Sequence, residues 1–146
     1  MPLLAKTRFL AFFLLIFMSL NIVLEAKFCI AASMSMPDQI WISLSNEIRD
    51  KKIDASFVLQ GLPNNSFKEL AEKIKELSDK GFSANVELDP TIFEDFQIGH
   101  VPVFLSIGKG QADRISGNLS LSYVLQVFEQ EGDVSLDDVY SKEAIR

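Results

Sequence analysis

Along this chain, short apolar runs alternate with longer stretches in which apolar residues recur every three or four positions. The run Gly99-His100-Val101-Pro102-Val103-Phe104-Leu105-Ser106-Ile107 is rich in Val, Ile and Phe and reads as a buried strand. Pro102 is tolerated at its opening because no ladder hydrogen bond is needed there. Gly108-Lys109-Gly110-Gln111 is a turn, and Asp113 to Gly117 is the returning arm of a hairpin. Past Asn118-Leu119-Ser120, the spacing of Leu121, Val124, Leu125 and Phe128 predicts a helix. Upstream, Ile40, Trp41, Leu44 and Ile48 share one face of a helix running to about Lys52, with Ser35 as its cap and Pro37 in its first turn. A short strand beginning near Ala32 precedes it. Ser56-Phe57-Val58-Leu59 is a strand stopped by Gly61 and Pro63. Ser66-Phe67-Lys68-Glu69 is a capping box opening a helix that carries Phe67, Leu70, Ala71, Ile74 and Leu77 and closes at Gly81. Asn85-Val86-Glu87-Leu88 alternates as a strand does, and Asp89-Pro90 leads into a helical turn with Ile92, Phe93 and Phe96 inward.

Strands alternating with helices and ending in a hairpin call for an α/β domain, a mixed sheet flanked by helices. The closing order of strand, strand and helix is that of a thioredoxin-like domain. In that fold the bond before the strand-opening proline is cis, so Val101-Pro102 is expected to be cis although only about 5–6% of X-Pro bonds in folded proteins are.

The first thirty residues are patterned differently. Lys6 and Arg8 precede an apolar run from Phe9 that continues to Leu24, interrupted at Asn21, and small residues follow. A basic start, an apolar core and small residues after it describe a secretory signal peptide. Ala31 has small neighbours at both pocket positions, so the expected cut lies between Ala31 and Ala32; a cut after Ala26 would place Leu24 in one pocket. Lys27-Phe28 before Cys29 exclude a lipoprotein signal. The division expected is therefore a signal peptide at 1–31, a domain at 32–132 and an acidic tail at 133–146, poorly ordered or borrowed by a partner. An uncleaved inner-membrane anchor is the alternative.

Charge and cysteine then narrow the function. The chain carries a formal net charge of −6, and losing residues 1–31 would leave about −8, which argues against nucleic acid and against anionic lipid surfaces. Cys29, the one cysteine, would leave with the leader, so no disulfide framework and no thiol exchange are expected.

Several segments together resemble TrbC, the F-type conjugative pilus assembly protein family. They are Ser35-Met36-Pro37, Gln60-Gly61-Leu62-Pro63-Asn64-Asn65-Ser66-Phe67, Asp89-Pro90 with Phe93 and Phe96, Val101-Pro102-Val103-Phe104, Asp113-Arg114-Ile115-Ser116-Gly117-Asn118 and Ser120-Leu121, in an order covering roughly residues 33 to 130. The resemblance implies a periplasmic protein of type IV secretion machinery that builds conjugative pili, with a thioredoxin-like fold related to disulfide isomerases.

A thioredoxin-type oxidoreductase needs a low-pKa thiolate at the N-terminus of the first helix and a second cysteine to resolve the mixed disulfide. Ser33-Met34-Ser35-Met36-Pro37 stands there instead, so no catalytic, cofactor or metal residue is assigned. His100 is the only histidine, too few for a histidine metal cluster; a Ser33 or Ser35 nucleophile working with it lacks an evident oxyanion site. Ser35, Met36, Pro37, His100, Val101 and Pro102 form the expected peptide or partner groove, with Met36 as a soft apolar surface. Asp113, Arg114 and Asn118 are either a hairpin ion pair and its turn or part of a partner surface. The function expected is non-catalytic binding of other periplasmic or membrane pilus-assembly proteins. A disulfide oxidoreductase or isomerase and a membrane-anchored form of the same module are the alternatives.

Overall fold

The computed structural model describes residues 26–137, 139 and 140. In chain order the elements are β1 (Lys27–Ala32), α1 (Asp38–Lys51), β2 (Ala55–Leu59), a 3-10 turn (Pro63–Asn65) and α2 (Phe67–Asp79). Then come β3 (Asn85–Leu88), α3 (Pro90–Asp95), β4 (Val103–Gly108), β5 (Gln111–Ser116) and α4 (Leu121–Glu131). The five strands form one sheet in the order β3-β2-β1-β4-β5. β1, β2 and β3 are parallel, and β4 and β5 are antiparallel additions.

Alternation along β1 sorts the core into two layers. Phe28, Ile30 and Ala32 face α1 and α4, where they meet Trp41, Leu44, Ile48, Leu121, Val124 and Phe128. Cys29 and Ala31 face the opposite side with Val58, Val103 and Leu105, covered by Ile92 and Phe93 of α3 and by Ile98. Trp41 stacks on Phe57 at 4.7 Å between centroids and meets Phe82 edge-on at 5.6 Å. Such aromatic pairs add about 0.5–1.5 kcal/mol beyond the area they bury.

The mixed sheet, the order of its elements and the cis Val101-Pro102 bond agree with the sequence pattern. Ser66 caps α2 by accepting from the Glu69 amide at 3.2 Å, and Gly117 has a positive φ before α4.

Three expectations are corrected. Residues 27–32 are the central strand, paired with β2 on one side and β4 on the other, so a boundary at residue 31 falls inside the sheet and Cys29 belongs to the domain. A parallel strand buried on both faces is nearly continuous in hydrophobicity, which is why this one merges with the apolar leader in sequence. The tail is the second correction. Val134, Leu136 and Val139 are buried, the Asp54 amide donates to the Val139 carbonyl at 2.8 Å, and Ile53 bridges to Tyr140. Residues 133 to 137, 139 and 140 therefore cover the lower end of the α1/α4 layer; 138 and 141–146 lie outside the described residues. Third, α1 begins at Asp38 with Pro37 in the capping position, and Ser35 makes no cap.

Helix α2 is most deeply buried toward its C-terminal end. Leu77 is buried, Leu70 and Ile74 are half-buried, and Phe67 is 72% exposed, so its apolar stripe emerges from the core toward its N-terminus.

Candidate functional site

An open cleft of about 900 Å³ lies at the carboxyl ends of β1 and β2. The loops that leave these two strand ends and the segment that enters β4 enclose it. Ser33, Met34 and Ser35 form one wall, Gln60, Gly61, Leu62 and Pro63 the second, and Ile98, Gly99, His100 and Val101 the third, over a floor of Ala32, Leu59 and Phe93. No Asp, Glu, Lys or Arg lines it. In a chain with 23% charged residues, a lining that mixes apolar side chains with Ser33, Ser35, Gln60 and His100 suits an uncharged ligand with both apolar and hydrogen-bonding groups.

Of the six expected groove residues, Ser35, His100 and Val101 line the cleft. Met36 is only 7% exposed and packs in the core among α1 and α4 residues, Pro102 is buried, and Pro37 sits exposed at the start of α1. Met34 takes the lining position expected of Met36. The missed residues are Ser33, Met34, the Gln60–Pro63 wall, Ile98 and Gly99, with Ala32, Leu59 and Phe93 on the floor. Their sequence signal was the Gly61-Leu62-Pro63 break immediately after a strand parallel to β1, since ligand crevices form beyond such strand ends.

The hydroxyls of Ser33 and Ser35 bond to each other at 2.8 Å, and the Ser35 amide donates to Ser33 Oγ at 3.2 Å. This closes the loop on itself, and neither hydroxyl is joined to His100 by a hydrogen bond. Cys29 is fully buried in β1, outside the cleft lining and away from any helix N-terminus. Burial pushes its thiol up to about 11, so it stays protonated at neutral pH and is a poor nucleophile. With one cysteine in the whole chain, the dithiol pair of an oxidoreductase is missing. No group of three or more His, Cys, Asp or Glu suited to a metal occurs among the described residues.

Asp113 and Arg114 part company because neighbouring strand residues point to opposite faces. Asp113 turns toward the C-terminal segment and accepts from the amides of Asp133 at 2.8 Å and Val134 at 2.9 Å. Gly132 fits there because a Cβ would stand 2.6 Å from Asp113 Oδ2. Arg114 turns the other way, and its Nη1 donates to the Phe96 carbonyl, anchoring the start of the loop whose later residues, Ile98 to Val101, line the cleft. Asn118 is exposed in the turn before α4. The three residues are thus not one constellation: Asp113 is engaged within the chain, and Arg114 supports the cleft from behind.

Away from the third wall, an ion cluster ties α1 to α2. Asp38 at the start of α1 accepts from Lys73 at 2.8 Å and Lys80 at 2.6 Å, and Glu76 accepts from Lys80 at 2.6 Å. The hydrogen bonds from Lys73 and Lys80 hold the Asp38 carboxyl down at about 2, and Glu76 is lowered by the same two lysines.

Comparison with known proteins agrees with this fold. The structure of StoA from Bacillus subtilis superposes with a TM-score of 0.55 at 12% identity, covering 70% of this chain and 81% of that one. MTB dsbF in its mixed oxidized and reduced forms gives 0.53 at 12% identity, covering 75% and 83%. At such identity the likeness concerns the fold alone, which is thioredoxin-like. In sequence, the chain is 32% identical over 101 residues to "Periplasmic protein TrbC" of Escherichia coli (strain K12), a match covering 69% of this chain and 47% of that relative. The chain thus spans about half the length of the curated relative. A family model, "Type-F conjugative transfer system pilin assembly protein", matches residues 30–142, from within the central strand to beyond the C-terminal segment. By that match this chain belongs to the TrbC family of type-F conjugative transfer pilin assembly proteins.

Proposed function

We propose that the chain is a periplasmic, non-catalytic assembly factor for the conjugative pili of a type-F, type IV secretion system, and that it works by binding an uncharged peptide segment of another pilus-assembly protein in the cleft. The observation that carries the reading is the replacement at the start of α1. Where the oxidoreductases of this fold place a reactive thiolate, this chain has Ser33 to Pro37, while the adjoining crevice is kept open and uncharged. The family supports the role in pilus assembly, and the relative's name supports the periplasm. No helix among the described residues is long and apolar enough to cross a membrane. Partners are other periplasmic or membrane components of the same apparatus, without nucleic acid, metal or cofactor.

The test is complementation of a deletion by the double variant Met34→Glu, Leu62→Glu, which places two charges in the cleft. Pilus formation and plasmid transfer are expected to fall to the level of the deletion while the variant accumulates at the wild-type level. Unimpaired transfer by a stable double variant would refute cleft binding, and normal pili in the deletion itself would refute the assembly role.

A further inference from the structure

Two small residues end the apolar leader, Ala26 and Ala31, and the sequence pattern favours a cut after the second. The structure reverses that preference. Cys29, Ile30 and Ala31 are fully buried, and Ile30 sits between Phe57 of β2 and Phe104 of β4 in the ladder. A cut after Ala31 would remove the strand that joins β2-β3 to β4-β5, leaving two hairpin-sized pieces with no shared sheet. Ala26, by contrast, stands just outside the ladder, whose first pairs are Lys27 with Ile107 and Phe28 with Ala55. Chain removed up to Ala26 takes no strand residue with it.

We propose that the Ala26–Lys27 bond is the processing site of the exported precursor, hydrolysed by a membrane-bound signal peptidase that reads Ala26 as the small residue before the cut. Water adds across that peptide bond, leaving a carboxylate on Ala26 and an ammonium on Lys27. The mature chain then opens directly into β1, keeps Cys29, and keeps the Lys27 side chain that pairs with Glu87 at 2.8 Å. The bond is cut before β1 enters the sheet. In the folded chain Ala26 lies against Gly108, where even a methyl group would stand 3.3 Å from it, and Lys27 is locked in the β4 ladder, so neither flank of the bond is free to extend into a protease.

The inference rests on the export reading above, and one experiment separates the two. The full chain, made from Met1 in a Gram-negative host, is recovered from the osmotic-shock fluid and its intact mass and N-terminal sequence are determined. The expected result is loss of residues 1–26 with Lys27 first. A mature form beginning at Ala32, or at any residue other than Lys27, overturns the site while leaving export standing. Absence of every form of the chain from the shock fluid overturns both. Ala26→Leu is expected to accumulate as full-length precursor, and Ala31→Leu to be cut at the same bond as wild type. Because cutting precedes folding, the N-terminal residue remains readable even where Ala31→Leu folds poorly. Arrest of Ala31→Leu but not of Ala26→Leu would overturn the proposal.

Discussion

Asp113→Ala separates an intramolecular role for this carboxylate from a partner-binding one. The side chain accepts from two backbone amides of the C-terminal segment, in a partly shielded bond from buried Val134 and an exposed bond from Asp133. Hydrogen bonds to a charged group contribute about 1.5–3 kcal/mol each, with the exposed one at or below the low end because water replaces it. The bond to the Val134 amide is therefore given about 2 kcal/mol and the other about 0.5, a loss of about 2–3 kcal/mol in all. For a domain of this size, about 4 °C in Tm accompanies each kcal/mol, so thermal unfolding is expected about 8–12 °C lower. Hydrogen exchange locates the loss: the amides of Asp133 and Val134, and the Asp54 amide that donates to Val139, exchange faster, while β1 and β4 amides change only with global stability. Arg114→Ala is the control on the same strand, with its partner on the opposite face. A Tm for Asp113→Ala within about 2 °C of wild type, well inside the shift expected from the lost bonds, would refute the reasoning and return Asp113 to the partner surface.

Arg114→Ala removes the bond to the Phe96 carbonyl; exchange in residues 96–101 is expected to rise, with a stability change of about 1 kcal/mol or less, read by denaturant titration. Acid acts on the α1–α2 cluster. Because Asp38 titrates at about 2 when folded, against an unfolded value near 3.9, its stabilising effect is complete above about pH 4 and fades as pH falls toward 2. Asp38→Asn is therefore expected to flatten the stability profile between those values, measured by urea unfolding at each pH. Cys29 should be silent toward a thiol reagent such as DTNB in the native protein and react fully in denaturant, and the protein should give no insulin reduction; rapid native labelling would show β1 to be loosely held.

Much of the fold was legible in the pattern of the chain. Hydrophobic spacing placed α1, α2 and α4, the capping box at Ser66 marked a helix start, and the run after Pro102 marked a buried strand, because those signals depend on neighbours a few residues apart. The lack of a dithiol pair was equally a property of the sequence, which holds one cysteine. Only the tertiary structure decided what depends on burial. Phe28-Cys29-Ile30-Ala31-Ala32 is apolar in the leader and apolar in the core, and pairing on both edges, which no local pattern encodes, assigns it to the sheet. Met34 and Met36 are chemically identical two positions apart, and the direction of the chain entering α1 sends one into the cleft and the other into the core. Asp113 and Arg114 are neighbours in sequence and strangers in space, because a pleated strand turns successive side chains to opposite faces, and what waits on each face is set by segments some twenty residues away.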